Sequence, residues 1–302
     1  MRPTLRQMEY IVTVHRLRSF GLAAETLHVS QPSLSNQIAA VEADLGVRLF
    51  ERGRLGAEAT AKGLEFVRHA QRILAEAETL RRVMTSDVAF GGRLRLGVLP
   101  SIGPYLLPQS MRALHLSQPD LRVVVREENT QSLNDGLRSG RFDAILSTPE
   151  DHPNTRQYPL FVEPLWVALS LDHDLSNKSN IGAADLSGQR LLTLDRGHRL
   201  ARIVYGIAGK SGAVVSDDYE GTSLDSILLM AATGSGIAVL PDLFVRRQAV
   251  HRTEVKVLPL ALEDANRTIS LLLPDDRAPG PGGEHLAEIL RQSARDLNMQ
   301  MA

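Results

Sequence analysis

The segment Val29-Ser30-Gln31-Pro32-Ser33-Leu34-Ser35-Asn36-Gln37-Ile38 constrains this chain more than any other. A short helix ends before it, the chain turns, and a second helix opens with small polar side chains on its first turns. Such a pair presents a helix N-terminus to the major groove of DNA. Upstream, Leu5, Met8, Ile11, Val12 and Leu17 recur at roughly helical spacing and predict a first helix with its exit. Ser19 is a candidate cap for the second helix, with Phe20, Ala23, Ala24 and Leu27 on its buried side. Pro32 suits the first turn of the third, where a missing N–H costs nothing. Leu34, Ile38, Val41 and Leu45 form its apolar stripe, and Gly46 ends it.

The opposite face of that third helix carries Gln31, Ser33, Ser35, Asn36 and Gln37. Asn and Gln can pair bidentately with adenine, and Ser serves phosphates or bases. Next comes Leu49-Phe50-Glu51-Arg52-Gly53-Arg54-Leu55-Gly56, which reads as a strand and a glycine-rich turn, returning through Glu58-Ala59-Thr60 as a small wing. Ser30, Gln31, Pro32, Ser33, Ser35, Asn36, Arg52 and Arg54 are therefore the candidate DNA-binding residues. Taken singly, each also suits an ordinary solvated face; the assembled pattern is what points to DNA.

Thr60 is placed to cap a long helix running from Ala61 to about Val88 without proline. Val67, Ala70, Leu74, Ala77, Leu80 and Met84 give it an apolar stripe near a heptad repeat. Such a helix needs a partner for that stripe. Homodimerisation through it is the simplest answer, and packing on the chain's own C-terminal body is the alternative. A dimer would also match a two-fold DNA site.

Bulk properties narrow the rest. A chain of 302 residues with 43% hydrophobic content supports about two domains or more. Net charge is −1, so overall charge does not announce nucleic acid. Residues 1–62 hold eight basic and six acidic side chains, a weakly basic head on a weakly acidic body. No transmembrane run or secretory signal is read, and a cytoplasmic location is expected. There is no cysteine, which excludes disulfides, thiolate catalysis and thiol redox sensing. No Gly-x-Ser-x-Gly elbow, Walker loop, dinucleotide glycine motif or His-Glu-x-x-His spacing is present, so neither an enzyme nor a cofactor is expected.

After Phe90-Gly91-Gly92, which reads as a hinge, strands and helices alternate. Strands are predicted at 93–98, 121–127, 143–147, 165–169, 190–194, 213–216, 255–258 and 269–273. Helices are predicted at 105–116, 132–139, 223–233 and 285–297. This is α/β grammar with a largely parallel sheet. Two such units would form a cleft, with ligand groups at strand ends and helix N-termini. Ser101, Thr130, Gln131, His198, Arg199, Arg202, Thr222 and Ser223 lie at such points and suit a small polar or anionic ligand. For Thr222 and Ser223 plain helix capping remains open, and for His198 a structural or solvated role.

The whole chain resembles the LysR-type transcriptional regulators. The most specific stretches are Phe20-Gly21-Leu22-Ala23-Ala24-Glu25-Thr26-Leu27-His28-Val29-Ser30-Gln31-Pro32-Ser33-Leu34-Ser35 and Leu45-Gly46-Val47-Arg48-Leu49-Phe50-Glu51-Arg52. The resemblance implies a winged helix-turn-helix, a dimerising linker helix, and a two-lobed effector domain resembling periplasmic binding proteins. It also suggests tetramers built as dimers of dimers. The expected divisions are 1–62 for DNA binding, 63–91 for the linker, and 92–302 for the effector domain. Lobe I would take 92–162 and 268–302, and lobe II 163–267. Expected partners are double-stranded promoter DNA, a second copy of the chain and a small effector, with RNA polymerase a further candidate and no membrane.

Within that family the body is most similar to the peroxide-sensing OxyR branch, on Gly97-Val98-Leu99-Pro100-Ser101-Ile102-Gly103-Pro104-Tyr105, Leu194-Asp195-Arg196-Gly197-His198-Arg199-Leu200, Gly221-Thr222-Ser223-Leu224 and Gly234-Ser235-Gly236-Ile237. The resemblance puts the branch's reactive cysteine at Arg199 and its resolving cysteine near Ala208. Neither thiol exists, so a peroxide–disulfide switch is chemically closed by that route. Arg199 instead brings a permanent cation. Either it meets an anionic effector beside His198, opposite Ser101 and Thr130, or it faces solvent or neutralises an acid such as Asp195. A regulator controlled by a protein partner or by dosage is a second reading. Methionine oxidation at Met230 is a third, weaker because a Met at that spacing suits a core.

Overall fold

Each helix of the N-terminal unit begins on a side chain that caps it. Thr4 and Gln7 form a capping box at α1 (Leu5–Leu17). The Ser19 hydroxyl accepts from Leu22 N at the start of α2 (Phe20–Thr26). The Ser30 hydroxyl does the same for Ser33 N at α3 (Gln31–Leu45), which ends on left-handed Gly46. A two-stranded wing, β1 (Phe50–Gly53) antiparallel to β2 (Gly56–Ala59), leads into α4 (Ala61–Thr85). The Thr60 hydroxyl accepts from Gly63 N at 2.9 Å and donates to Arg48 O at 2.7 Å, tying the α4 start to the chain entering the wing. The computed structural model describes residues 3–53, 56–85, 88–217, 223–275 and 281–302. It divides into two units, Met1–Asp87 with Arg138–Arg141, and Val88–Leu137 with Phe142–Ala302.

The first unit closes around Ile11, Val14, Leu34, Ile38, Leu49 and Val67. Burying one such side chain stabilises by about 1.5–3 kcal/mol. Glu42, on α3, accepts from Leu49 N and Phe50 N and so fixes where β1 starts. Two glycines permit close backbone approaches. Gly56 sits at φ +111°, and a Cβ there would lie 2.3 Å from Arg18 O. A Cβ on Gly63 would lie 2.0 Å from Leu49 O.

In the second unit β3 (Arg93–Val98) runs into α5 (Gly103–Ser117), β4 (Arg122–Glu127), α6 (Thr130–Arg138) and β5 (Ala144–Ser147). β3 pairs in parallel with β4 and β5. The long β6 (Thr155–Ser170) follows, then α7 (Ala183–Leu186), β7 (Arg190–Leu192), α8 (Arg199–Ser211), β8 (Val214–Val215), α9 (Leu224–Ala232), β9 (Ile237–Pro241) and α10 (Asp242–Arg247). β10 (Val255–Pro259), β11 (Asn266–Pro274), α11 (Pro281–Asp296) and β12 (Gln300–Met301) complete the chain. β7 pairs in parallel with β8 and β9. β6 is antiparallel to β11, β9, β10 and β12, so the sheet is mixed where a largely parallel one was expected. Parallel pairs build each lobe, and the antiparallel crossover strands join them.

Two cores result. One gathers Leu96, Leu106, Phe142, Phe161, Leu271 and Leu290; the other gathers Val167, Leu191, Val204, Ile227, Val239 and Phe244. Only half-buried Tyr105 is packed against both among the described residues. Burial, with Asp225, Glu127 and Glu163 adding, pushes its phenol up to about 12. Several elements go beyond the sequence expectation. Residues 199–211 are helical where no element is predicted, Ile237–Pro241 adds a strand, β6 begins ten residues before Leu165, and α7, α10 and β12 are further additions.

Gly63→Ala forces Cβ against a main-chain carbonyl with no flexible side chain to yield. It should destabilise the N-terminal unit by about 1–3 kcal/mol, the usual range for overpacking. Urea unfolding checks this; wild-type stability would show that the approach is looser than described.

Candidate functional site

Along α3, Ser30, Gln31, Pro32, Ser33 and Asn36 are exposed, while Leu34, Ile38 and Val41 face the core. Ser35 is half-buried, and with Gln31, Ser19 and Ala57 it lines a groove beside α2 and the wing. Ser30 Oγ is used as a cap acceptor, which leaves its proton free to donate to a phosphate. Gln37, on the same helix, is held by Gln7 Nε2 at 3.0 Å. Arg54 lies outside the described residues, as does the side chain of Arg52, whose backbone pairs with Ala57 in the wing.

The proposed dimer stripe on α4 divides in two. Val67 and Ala70 are 3% and 1% exposed and pack within their own unit, which corrects their assignment to the stripe. α4 lies on α1 there, so its first turns are already covered. Leu74 and Ala77 are half-buried. Ile73, Leu80 and Met84 stand exposed, at 44%, 60% and 72%. Ile73, Ala77, Leu80 and Met84 are spaced four, three and four residues apart, the spacing of a coiled-coil seam.

Between the lobes the structure brings several expected residues together, and it gives each a partner within the protein. Thr130, at the start of α6, accepts from Arg199 N at 3.0 Å. Arg199 Nη1 lies 3.3 Å from Asp151 Oδ1, and Arg202 Nη2 lies 2.8 Å from the same oxygen. The acid that neutralises Arg199 is therefore Asp151 and not Asp195. Asp195 instead faces His198 Nε2 at 3.6 Å and accepts from Gly197 N. Burial lowers the pKa of His198, with Asp195 opposing and Arg267 reinforcing. Ser101 accepts from Arg267 Nη2 at 2.9 Å. Gln131 is exposed on α6, and Ser223 is exposed at the α9 start, its side chain not capping the helix. Thr222 lies outside the described residues. Met230 is half-buried against the second core, as a packing residue would be.

Four residues here escaped the sequence reading. Glu163 and Arg267 face each other across β6 and β11, with Nη2–Oε2 at 2.7 Å and exposures of 0% and 5%. Leu243 N donates to the other Glu163 oxygen. Burial raises the Glu163 carboxyl, against the pull of Arg267. A charge inside an apolar strand must find a partner, and that is the signal which could have found this pair. Asp151 and His152 close a short turn after β5 with no periodic pattern to mark them. His152 is fully buried; Nε2 is 2.8 Å from Ser147 Oγ and Nδ1 is 3.3 Å from Asn134 Oδ1. An amide oxygen can only accept, so Nδ1 carries the proton and Nε2 accepts from the serine. No three His, Asp or Glu side chains among the described residues could hold a metal. No helix among the described residues is long and apolar enough to cross a membrane.

Comparison with known proteins agrees with this architecture. Residues 5–64 match the bacterial regulatory helix-turn-helix model of the lysR family, and residues 89–295 match the LysR substrate-binding domain. The chain is 36% identical to the hydrogen peroxide-inducible genes activator of Dickeya chrysanthemi, over 95% of each chain. It is 35% identical to the DNA-binding transcriptional dual regulator OxyR of Escherichia coli, over 95% of this chain and 94% of that one. A full-length OxyR variant from Pseudomonas aeruginosa has a similar structure, with a TM-score of 0.70 at 31% identity and 97% coverage of both chains. CbnR in complex with its target DNA gives 0.68 at 26% identity, covering 96% of this chain and 100% of that one.

Buried His152 makes the second unit acid-sensitive. Burial holds its imidazole down to about 4 from the ordinary 6.5, with Asp151 opposing and Arg202 reinforcing. Above pH 6.5 folded and unfolded forms are both neutral, and stability is flat. Below it the unfolded chain takes up a proton that the folded one refuses, so stability falls from pH 6.5 toward pH 4. At pH 5 the loss should reach about 1–2 kcal/mol. Urea unfolding at pH 7 and pH 5 should show it in wild type and much less in His152→Gln. Equal losses in both would place the acid sensitivity elsewhere.

Proposed function

The chain belongs to the LysR family of DNA-binding transcriptional regulators, and from that premise we propose an OxyR-like regulator that receives its signal without a thiol. Arg199 carries the reading. It stands where the resemblance to the OxyR branch puts the reactive cysteine, and the chain has no cysteine at all. Arg199 opens α8, and Ala208 lies nine residues further along the same unbroken helix. At 1.5 Å per residue the two positions are about 13 Å apart along the axis. Cysteines placed there could bond only after the helix unwound.

On DNA, Gln31, Ser33 and Asn36 are the proposed base readers, since they are the exposed polar side chains on the first turns of α3. Ser30 at the helix N-terminus and the wing residues Arg52 and Arg54 are the proposed phosphate contacts, and Pro32 shapes the first turn beside them. Ser35, half-buried, is a weaker candidate. Two chains meet through Ile73, Ala77, Leu80 and Met84, and higher assembly as a dimer of dimers follows the family resemblance. The signal is a small non-covalent effector between the lobes, near Ser101, Thr130, His198 and Arg199, which shifts lobe geometry and with it the DNA-binding heads. That is allostery if ligand and DNA affinities prove coupled. One observation favours a second reading, in which a protein partner and no small ligand controls the molecule. Ser101 and Arg199 are already engaged by Arg267 and Asp151.

Two measurements test this. DNase footprints of purified protein on its own promoter should be unchanged by hydrogen peroxide. They should shift in spacing with a compound that raises its melting temperature. A peroxide-dependent footprint would revive an oxidative signal, and a footprint indifferent to every stabilising ligand would favour the second reading. Separately, Leu80→Glu should weaken the dimer at least tenfold in sedimentation while leaving the fold intact, because a charge enters an apolar seam. Unchanged self-association would move the interface off α4.

A further inference from the structure

Two guanidiniums converge on one carboxylate oxygen. Arg199 and Arg202 both reach Asp151 Oδ1, while Oδ2 accepts from the Thr148 hydroxyl at 2.7 Å. The Asp151 side chain is 6% exposed, those of Arg199 and Arg202 28% and 51%. The three groups carry one net positive charge. Arg199 Nε is buried and has no hydrogen-bond partner among the described residues. A guanidinium normally offers a fork to two oxygens of one anion, and here a single oxygen is shared between two forks. The arrangement is an oxyanion site that its own aspartate fills incompletely. Asp151 comes from the turn after β5, the arginines from α8, so the carboxylate also bridges the two lobes. Beside it, the Thr130 hydroxyl accepts from Arg199 N and keeps its proton available for an incoming oxygen.

We propose that Asp151 is an internal stand-in for the effector. A small oxyanion with two or more free oxygens, a carboxylate or a phosphate, displaces it from Arg199 and Arg202 and so unties lobe I from lobe II. This rests on the reading of an effector between the lobes. It adds the ligand's class and the reason the site looks saturated. Exposed Glu150, next to Asp151, lines the adjoining groove with Arg199 and disfavours an anion in that groove.

The test uses the full-length protein, with inorganic phosphate and malonate as probes in isothermal titration calorimetry. Asp151→Asn removes the competing charge and should bind at least one probe about tenfold more tightly than wild type. Adding Arg202→Gln to Asp151→Asn should abolish the gain. Thr148→Val, which releases only one oxygen of the carboxylate, should give a smaller gain in the same direction and serves where Asp151→Asn fails to fold. The two probes separate phosphate from carboxylate. Equal or undetectable binding of both probes by wild type and the folded variant overturns the proposal. Should another compound shift the wild-type footprint in that case, the effector reading stands and only the role of Asp151 falls. A gain in anion affinity with no footprint change supports the stand-in and removes the effector reading.

Discussion

The paired charges of Glu163 and Arg267 sit at the point where the two lobes join. β6 is one continuous strand that serves two sheets. Up to Pro164 it pairs with β11, and from Leu165 onward with β9 and β10. Glu163 and Arg267 are register partners at that transition, nearly inaccessible to water. Two charges are costly there unless they satisfy each other and their remaining atoms. They do so in a closed set, since Leu243 N holds the second Glu163 oxygen and Ser101 takes a further Arg267 N–H. Removing one member of such a pair typically costs about 3–5 kcal/mol, because the survivor stays buried and unpaired. This network therefore behaves as a fixed pivot. It links β6, β11, the loop after β3 and the start of α10 through directional bonds that a packed apolar joint would lack.

The contact that ties the lobes away from the pivot has a different character. Arg202 is half in solvent, Arg199 is partly exposed, and both depend on one oxygen of Asp151. Charge pairs open to water are worth little and respond to salt and to competing ions. The lobes are thus linked by a buried directional network and by a solvent-open charge pair, and under the proposed effector reading the second is the one that gives way. Thr130 takes part in the tie through the main chain of Arg199, which also fixes where α8 starts.

Sequence made the N-terminal unit legible because its signals are local. Ser19, Ser30 and Thr60 each cap a helix whose first turn follows directly, and Gly46 ends one four residues after Glu42. Those interactions span a few residues and leave fixed spacings. The stripe on α4 was legible as a stripe but not in its division, because Val67 and Ala70 are covered by α1 from far upstream. In the second unit the strand order was partly readable, yet β9 was missed. Ile237–Pro241 is buried throughout and so shows no alternation. α8 goes unpredicted because Gly206 and Gly209 interrupt its pattern; both stand on the helix without breaking it. The partners that define the inter-lobe site were the least legible. Arg199 and Asp151 are 48 residues apart and Glu163 and Arg267 are 104 apart, and no periodicity connects such positions.

The exchange of a thiol for a guanidinium explains why that weak tie exists. A reactive cysteine needs a thiolate, and a neighbouring cation would supply one. Arg199 removes the nucleophile and leaves a permanent cation, which must find an anion or stay unpaired in a partly buried place. Asp151 answers that demand from the opposite lobe. The replacement therefore does more than silence an oxidation. It converts a position suited to covalent change into one held by charge. On the proposed reading, such a link opens by competition and needs no reductant to reset. The difference is double, since the position near Ala208 also lacks a thiol, and in the proposed mechanism competition for charge at the start of α8 stands in for both halves of the disulfide route.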